Sequence, residues 1–158
     1  MATDPAEEIV ENASAGRQPG PDHAGRPKVD GDRRVVLLVE DNEADRDVYG
    51  SLLWYNGYEV LHAGDGASAL AKVREAPPDL ILLDVRLPGE LSGLDVAARL
   101  RRDGLETPIV VLSAVPREEL GPAVDAARVQ AYLEKPIDPF AVVKAVMKVV
   151  GPAQGDRR

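Results

Sequence analysis

The chain has 158 residues, 44% of them hydrophobic and 29% charged, and a net charge of −8, a balance that fits one ordinary globular domain with a sizeable core. The negative charge argues against a nucleic-acid surface, which needs clustered lysine and arginine, and no run approaches the roughly 18–20 apolar residues of a membrane span. Cysteine is absent and the two histidines, His23 and His62, stand apart, which excludes disulfides, thiolate chemistry and Cys- or His-rich metal sites.

In chain order, residues 1–33 mix Pro, Gly, Asp, Glu and Arg without an apolar period. They read as a disordered N-terminal arm, with His23 a solvated residue in it. The acidic start MATDPAEEIV lacks the apolar stretch of a secretory signal, so a cytoplasmic location is expected by default. VVLLV (35–39) reads as a strand that stops at Glu40 and Asp41. Ala44, Val48, Leu52 and Tyr55 then fall at helical spacing, with Asp41 a plausible N-cap and Asn56-Gly57 a good stop. Residues 59–63 form a second strand, and after Gly64-Asp65-Gly66 a helix runs through Leu70 and Val73 and ends before Pro77-Pro78.

LILL (80–83) stops at Asp84, and a Pro-Gly loop leads to a third helix with Leu94, Ala97 and Leu100 on its inner face. IVVL (109–112) stops at Ser113, and AYLE (131–134) at Lys135. Asp138 can cap the last helix, with Pro139 in its first turn. A flexible C-terminal tail is expected over 151–158, leaving one folded domain over 34–150.

Short, uninterrupted, β-branched runs indicate strands buried on both faces, hence a parallel sheet flanked by helices. Right-handed crossovers then give an α/β fold: a doubly wound five-stranded parallel sheet, (βα)5, in three layers. Ligands in such sheets bind beyond the carboxyl ends of the strands, where the strand order reverses. Glu40, Asp41 and Asp84 would meet there, and at least one pKa should rise unless a cation joins them. Carboxylate oxygens in a small site suit Mg²⁺. Lys135 adds a mobile positive charge suited to phosphate oxygens, and Ser113 adds a hydroxyl. A carboxylate so held is a nucleophile able to accept a phosphoryl group.

From about Arg34 to Val150 the chain resembles the receiver domain of two-component response regulators, a flavodoxin-like fold shared with the chemotaxis response regulator. The resemblance rests on the acidic pair in LLVEDNEAD, the Asp in ILLDVRLPG, the Ser-Ala in VVLSA and the Lys-Pro in YLEKP, in that order and each at a strand end. It implies that Asp84 is the phosphoacceptor. Asp41 would be a direct Mg²⁺ ligand, Glu40 would act mainly through water, and the backbone carbonyl of Arg86 would complete the protein ligands. Ser113 and Lys135 would bind the phosphoryl oxygens. Tyr132 would be the rotating aromatic that reports the position of Ser113, and the Lys135-Pro136 bond would be cis.

The implied donor is a histidine kinase or a histidine phosphotransfer protein, and the protein would be a phosphoacceptor rather than an enzyme. With no output domain in the chain, a stand-alone receiver would pass its state to a downstream protein by contact. One rival is a receiver-like binding module that is never phosphorylated. Another is a haloacid-dehalogenase-type phosphatase, but that class places a second Asp two residues after the first, where Arg86 stands here.

Several residues have plainer expectations. His62 reads as structural, and Asp45, Asp47 and Asp95 as solvated helix-face charges. The loop VRLPGELSG is one residue longer than the commonest form in the family. Gly121-Pro122 should delay or break the fourth helix, and Arg128-Val129 replaces the glycine that usually ends it. Val115, two residues past Ser113, offers no group to orient an attacking water, so self-dephosphorylation should be slow. The last helix, PFAVVKAVMKVV, is apolar over more than the roughly 100° stripe of one buried face. Val142, Val146 and Val149 are therefore candidates for an exposed strip that binds a partner or a second copy.

Overall fold

The computed structural model describes residues 33–153, so the expected N-terminal arm and all but the first residues of the expected tail lie outside the described residues. Five strands, β1 (Val35–Val39), β2 (Glu59–Ala63), β3 (Leu80–Asp84), β4 (Ile109–Ser113) and β5 (Ala131–Glu134), form one sheet in the order β2-β1-β3-β4-β5. Every pairing is parallel. Val36 to Val39 and Leu80 to Asp84 are buried without interruption. Helices α1 (Glu43–Tyr55), α2 (Gly66–Glu75), α3 (Gly93–Arg102), α4 (Arg117–Leu120), α5 (Pro122–Ala127) and α6 (Pro139–Val150) complete the alternation.

Alternate strand residues feed two cores. Leu37, Val39, Ile81, Leu83, Ile109 and Val111 pack with α2, α3 and Ala127 on one face. Val36, Leu38, Leu80, Leu82, Val110 and Leu112 pack with α1 and α6 on the other. This is the expected doubly wound three-layer sandwich. Its strand order reverses between β1 and β3, so the crevice opens beyond Val39 and Leu83, which are register partners.

The helices differ in detail from the sequence pattern. In α1 the inward residues are Tyr49, Gly50 and Leu53, whereas Val48 is 45% and Tyr55 83% exposed. Both rows have helical spacing, and period alone does not choose between rows one residue apart. The N-cap is Asn42, whose side chain accepts the Asp45 N–H, and not Asp41. In α3, Val96 joins Ala97 and Leu100 inside while Leu94 is only half-buried. Asp95 is not a free surface charge. It closes a capping box with Ser92.

The fourth helix breaks as expected, into α4 and α5 around Gly121 at φ 46°. Arg128 ends α5 in the left-handed conformation, φ 52° and ψ 54°. The Arg101 guanidinium donates to the Ala127, Leu105 and Arg128 carbonyls and so satisfies the helix end that a glycine cap would usually close. In α6 the expected exposed strip is overturned, since Val142 and Val146 are fully buried and Val149 is partly covered. Phe140 and Met147 are the exposed apolar residues instead. A helix apolar nearly all round carries no sequence signal for which side meets the sheet, and here the flat β-branched valines fill it.

The two ends of the folded unit meet. The Arg34 N–H donates to the Ala153 carbonyl at 2.7 Å, and the Tyr58 hydroxyl to the Gly151 carbonyl at 2.7 Å. Ala153 is buried, so residues 151–153 are held, and the expected fraying does not begin directly after Val150.

Candidate functional site

Register sets the site. Past the Val39–Leu83 pair, Glu40 and Asp84 come level at the ends of adjacent strands, and Asp84 faces Leu112, the residue before Ser113. Ser113 in turn pairs with Glu134, the residue before Lys135. The Lys135 N–H donates to the Ser113 carbonyl at 2.7 Å, and the Lys135-Pro136 peptide is cis, as expected.

The side chains converge on the Lys135 ammonium. Its Nζ lies 2.9 Å from Glu40 Oε1, 3.0 Å from Asp84 Oδ2 and 3.4 Å from Asp45 Oδ2. Glu40 is almost fully buried and Asp84 nearly so, while Asp41 is exposed at the rim. The free oxygens are tied locally: Glu40 Oε2 accepts the Asn42 N–H at 3.1 Å and Asp84 Oδ1 the Arg86 N–H at 3.1 Å. Arg46 donates to the Glu40 carbonyl at 3.0 Å.

Burial, and then the charge of Asp84, push the Glu40 carboxyl above its ordinary value against the bonds it accepts from Lys135 and Asn42. For Lys135, burial would lower the ammonium's pKa, but the hydrogen bonds to Glu40 and Asp84 outweigh it and hold the group above the usual lysine value. Lys135 is thus a fixed positive charge between carboxylates.

Glu40, Asp41 and Asp84 each offer an oxygen within 4.8 Å of the others. A set of hard oxygen donors of that size suits a small divalent cation such as Mg²⁺. The Arg86 side chain is exposed, and its backbone N–H is spent on Asp84.

Residues 36–147 match the family model of the response regulator receiver domain. The chain belongs to this family. It is 32% identical over 122 residues to the polar-differentiation response regulator DivK of Brucella anthropi, covering 76% of this chain and 98% of that one. It is 34% identical over 122 residues to "Probable transcriptional regulatory protein TcrX" of Mycobacterium tuberculosis, where it spans only 50% of the relative's length. Among solved structures, the Vibrio cholerae chemotaxis protein CheY4 is similar at a TM-score of 0.69 with 31% identity, covering 74% of this chain and 98% of that one. Receiver domains generally bind Mg²⁺ through acidic residues and interact with histidine kinases or phosphotransfer proteins and with downstream proteins.

Within this receiver, Ser113 is fully buried and its Oγ accepts the Val115 N–H at 2.9 Å. The half-buried Tyr132 donates its hydroxyl to the Val115 carbonyl. Ser113 and Tyr132 are therefore joined through the two backbone groups of Val115. Sequence reasoning placed Glu40, Asp41, Asp84, Ser113 and Lys135 at one edge. It missed Asp45, which is not a solvated helix-face charge but a third partner of Lys135. It also missed Gly93, where a Cβ would fall 2.0 Å from the Asp84 carbonyl oxygen. The signal for Asp45 was its place one helical turn after the acidic pair. For Gly93 there was none beyond the residue type. His62 is buried on β2, level with Leu38 on the neighbouring strand.

Among the described residues, no helix is long and apolar enough to cross a membrane.

Proposed function

We propose that this receiver accepts a phosphoryl group on Asp84 from a histidine kinase or histidine phosphotransfer protein and passes its state to a downstream protein by surface contact. The observation that carries the reading is the Asp84 carboxylate, nearly buried at the end of β3 and 3.0 Å from the Lys135 ammonium. A carboxylate oxygen forms the new O–P bond as the donor's bond to phosphorus breaks, and the leaving group takes its proton from solvent. Lys135 offsets the charge of the transferring oxygens. Glu40 and Asp41, with Asp84 and the Arg86 carbonyl, would hold Mg²⁺, which when bound supplies further positive charge to those oxygens.

Once Asp84 carries the phosphoryl group as an acyl phosphate, Ser113 would turn its hydroxyl to the new phosphoryl oxygens. Its bond to the Val115 N–H would then break, and Tyr132, anchored on the same residue, would move with the loop. The protein acts as a phosphoacceptor in this scheme and not as an enzyme that turns over a substrate. Its setting would be cytoplasmic, where such donors and Mg²⁺ are found.

The test is incubation with Mg²⁺ and acetyl phosphate, followed by separation of phosphorylated from free protein, with Asp84→Asn as control. A Mg²⁺-dependent phosphoform absent from Asp84→Asn is expected. Failure with acetyl phosphate and with a panel of phosphorylated kinases would overturn the reading in favour of a phosphorylation-independent binding module.

A further inference from the structure

The two acidic residues at the third position of their helices, Asp45 in α1 and Asp95 in α3, are used differently. Asp95 folds back on its own cap, accepting the Ser92 N–H at 2.9 Å while the Ser92 hydroxyl accepts the Asp95 N–H. Asn42 likewise accepts the Asp45 N–H, at 2.9 Å. The return bond is missing, because the Asn42 N–H is taken by Glu40. The Asp45 carboxylate is thereby released from the capping box and reaches Lys135 Nζ at 3.4 Å.

A lysine ammonium has three protons and no acceptor. Glu40, Asp84 and Asp45 are within reach of all three. An arriving phosphoryl oxygen can take a proton of Lys135 only if one carboxylate yields. Glu40 is buried, and releasing it would strand a desolvated charge. The Asp84 bond orients the reacting carboxylate. Asp45 has the longest contact and a side chain 40% exposed, so water can take over its oxygens on release.

We propose that Asp45 is a positioning residue for phosphoryl transfer: it holds the third proton of Lys135 in the unloaded site and must give it up to the incoming group, so it slows capture of anionic donors. Glu40 and Asp84 suffice to orient Lys135, and Asp45 adds negative charge at the mouth, facing the donor. This rests on the reading of Asp84 as phosphoacceptor.

The experiment compares the full chain with Asp45→Asn, Asp45→Ala and Asp45→Glu in saturating Mg²⁺, using acetyl phosphate, a dianion at neutral pH, and the less charged phosphoramidate. Asp45→Asn and Asp45→Ala are expected to form phosphoprotein about three- to tenfold faster with acetyl phosphate, the scale of one unit charge removed at about 4 Å in a water-like dielectric, which suits a side chain 40% exposed. The gain should be smaller with phosphoramidate and shrink with added salt, since Asp45 is partly exposed. Asp45→Glu, which keeps the charge, should restore the slow rate. Without donor or Mg²⁺, the Lys135 ammonium protons, followed by ¹⁵N NMR, should exchange with water faster in Asp45→Ala.

Unchanged or slower phosphorylation in Asp45→Asn and Asp45→Ala, beside a phosphoform in the parent protein, would overturn this role alone. No phosphoform in the parent would overturn the phosphoacceptor reading and this inference with it.

Discussion

Gly93 and Asp84 touch through their backbones: a Cβ on Gly93 would lie 2.0 Å from the Asp84 carbonyl oxygen and 3.0 Å from Val85 Cα. The first residue of α3 thus presses on the strand end that carries Asp84, and the Gly93 N–H donates to the Val85 carbonyl at 2.8 Å. No rotamer relieves a clash with backbone. Gly93→Ala should lower stability by about 1–3 kcal/mol in denaturant melts. It should also slow phosphorylation by up to about a hundredfold, although no reactive group is lost, because displacing a nucleophile by about 1 Å has that effect.

Replacing Lys135 with Met leaves Glu40 and Asp84 facing one another without their shared cation. The Glu40 carboxyl, already raised by burial and by Asp84, should rise further. A carboxyl raised in the folded state contributes stability below its unfolded pKa and loses it as pH rises through the folded one. The deficit of Lys135→Met relative to the parent should therefore widen as pH rises from the ordinary carboxylate range through neutrality. Urea melts across that range give the answer, and a deficit independent of pH would place the effect in packing instead.

Asp41 is exposed, and it adds one more negative charge to a site already holding Glu40 and Asp84. Asp41→Asn should match the parent or exceed it by a few tenths of a kcal/mol without Mg²⁺. With the cation the order should reverse. The parent should gain about 2.7 kcal/mol at a hundred times its Kd, and Asp41→Asn much less at the same concentration. Thermal melts with Mg²⁺, and with a chelator as reference, make the comparison.

Arg128 holds a left-handed backbone at φ 52°, a conformation that glycine adopts without strain. Its side chain reaches Glu106 at 3.2 Å on the surface, a pair worth little. Arg128→Gly should raise stability by about 0.5–1 kcal/mol, read from the same denaturant melts. A loss would show that the ion pair or the Arg101 clamp depends on the arginine.

Val115 is buried and apolar, with both of its backbone groups bonded, to Ser113 and to Tyr132. Nothing in its side chain can orient a water for attack on a phosphoryl group at Asp84. The phosphoform, once freed of donor, should persist for minutes or longer. Decay within seconds, followed by separating phosphorylated from free protein over time, would show that another group does this work.

The legible part of the molecule was its sheet. VVLLV and LILL are buried on both faces, so their hydrophobicity has no period to misread and ends abruptly at Glu40 and Asp84. Those ends carry the candidate site. The helices were harder for the opposite reason. In α1 the row through Val48 and Tyr55 and the row through Tyr49 and Leu53 both repeat correctly, and only contact with the sheet decides between them. In α6 nearly every position is apolar, so the sequence carried no sign that Val142 and Val146 turn inward. Asp45 looked like surface charge because its role depends on Asn42 losing its N–H to Glu40. Such a trade exists only once the strand end and the helix start are folded together.

Arg34 and Ala153, 2.7 Å apart through N–H and carbonyl, lie at the start of β1, and five residues of strand, about 17 Å, separate them from the acidic edge. Residues 33 and 153, the first and last described, thus lie near one corner at the pole opposite Asp84. A partner docked at that corner would leave the acidic edge unobstructed and would sense it through the body of the sheet. The same closeness means that a short linker could join the two ends and new termini be opened elsewhere, a rearrangement that would leave all four carboxylates and the lysine in place.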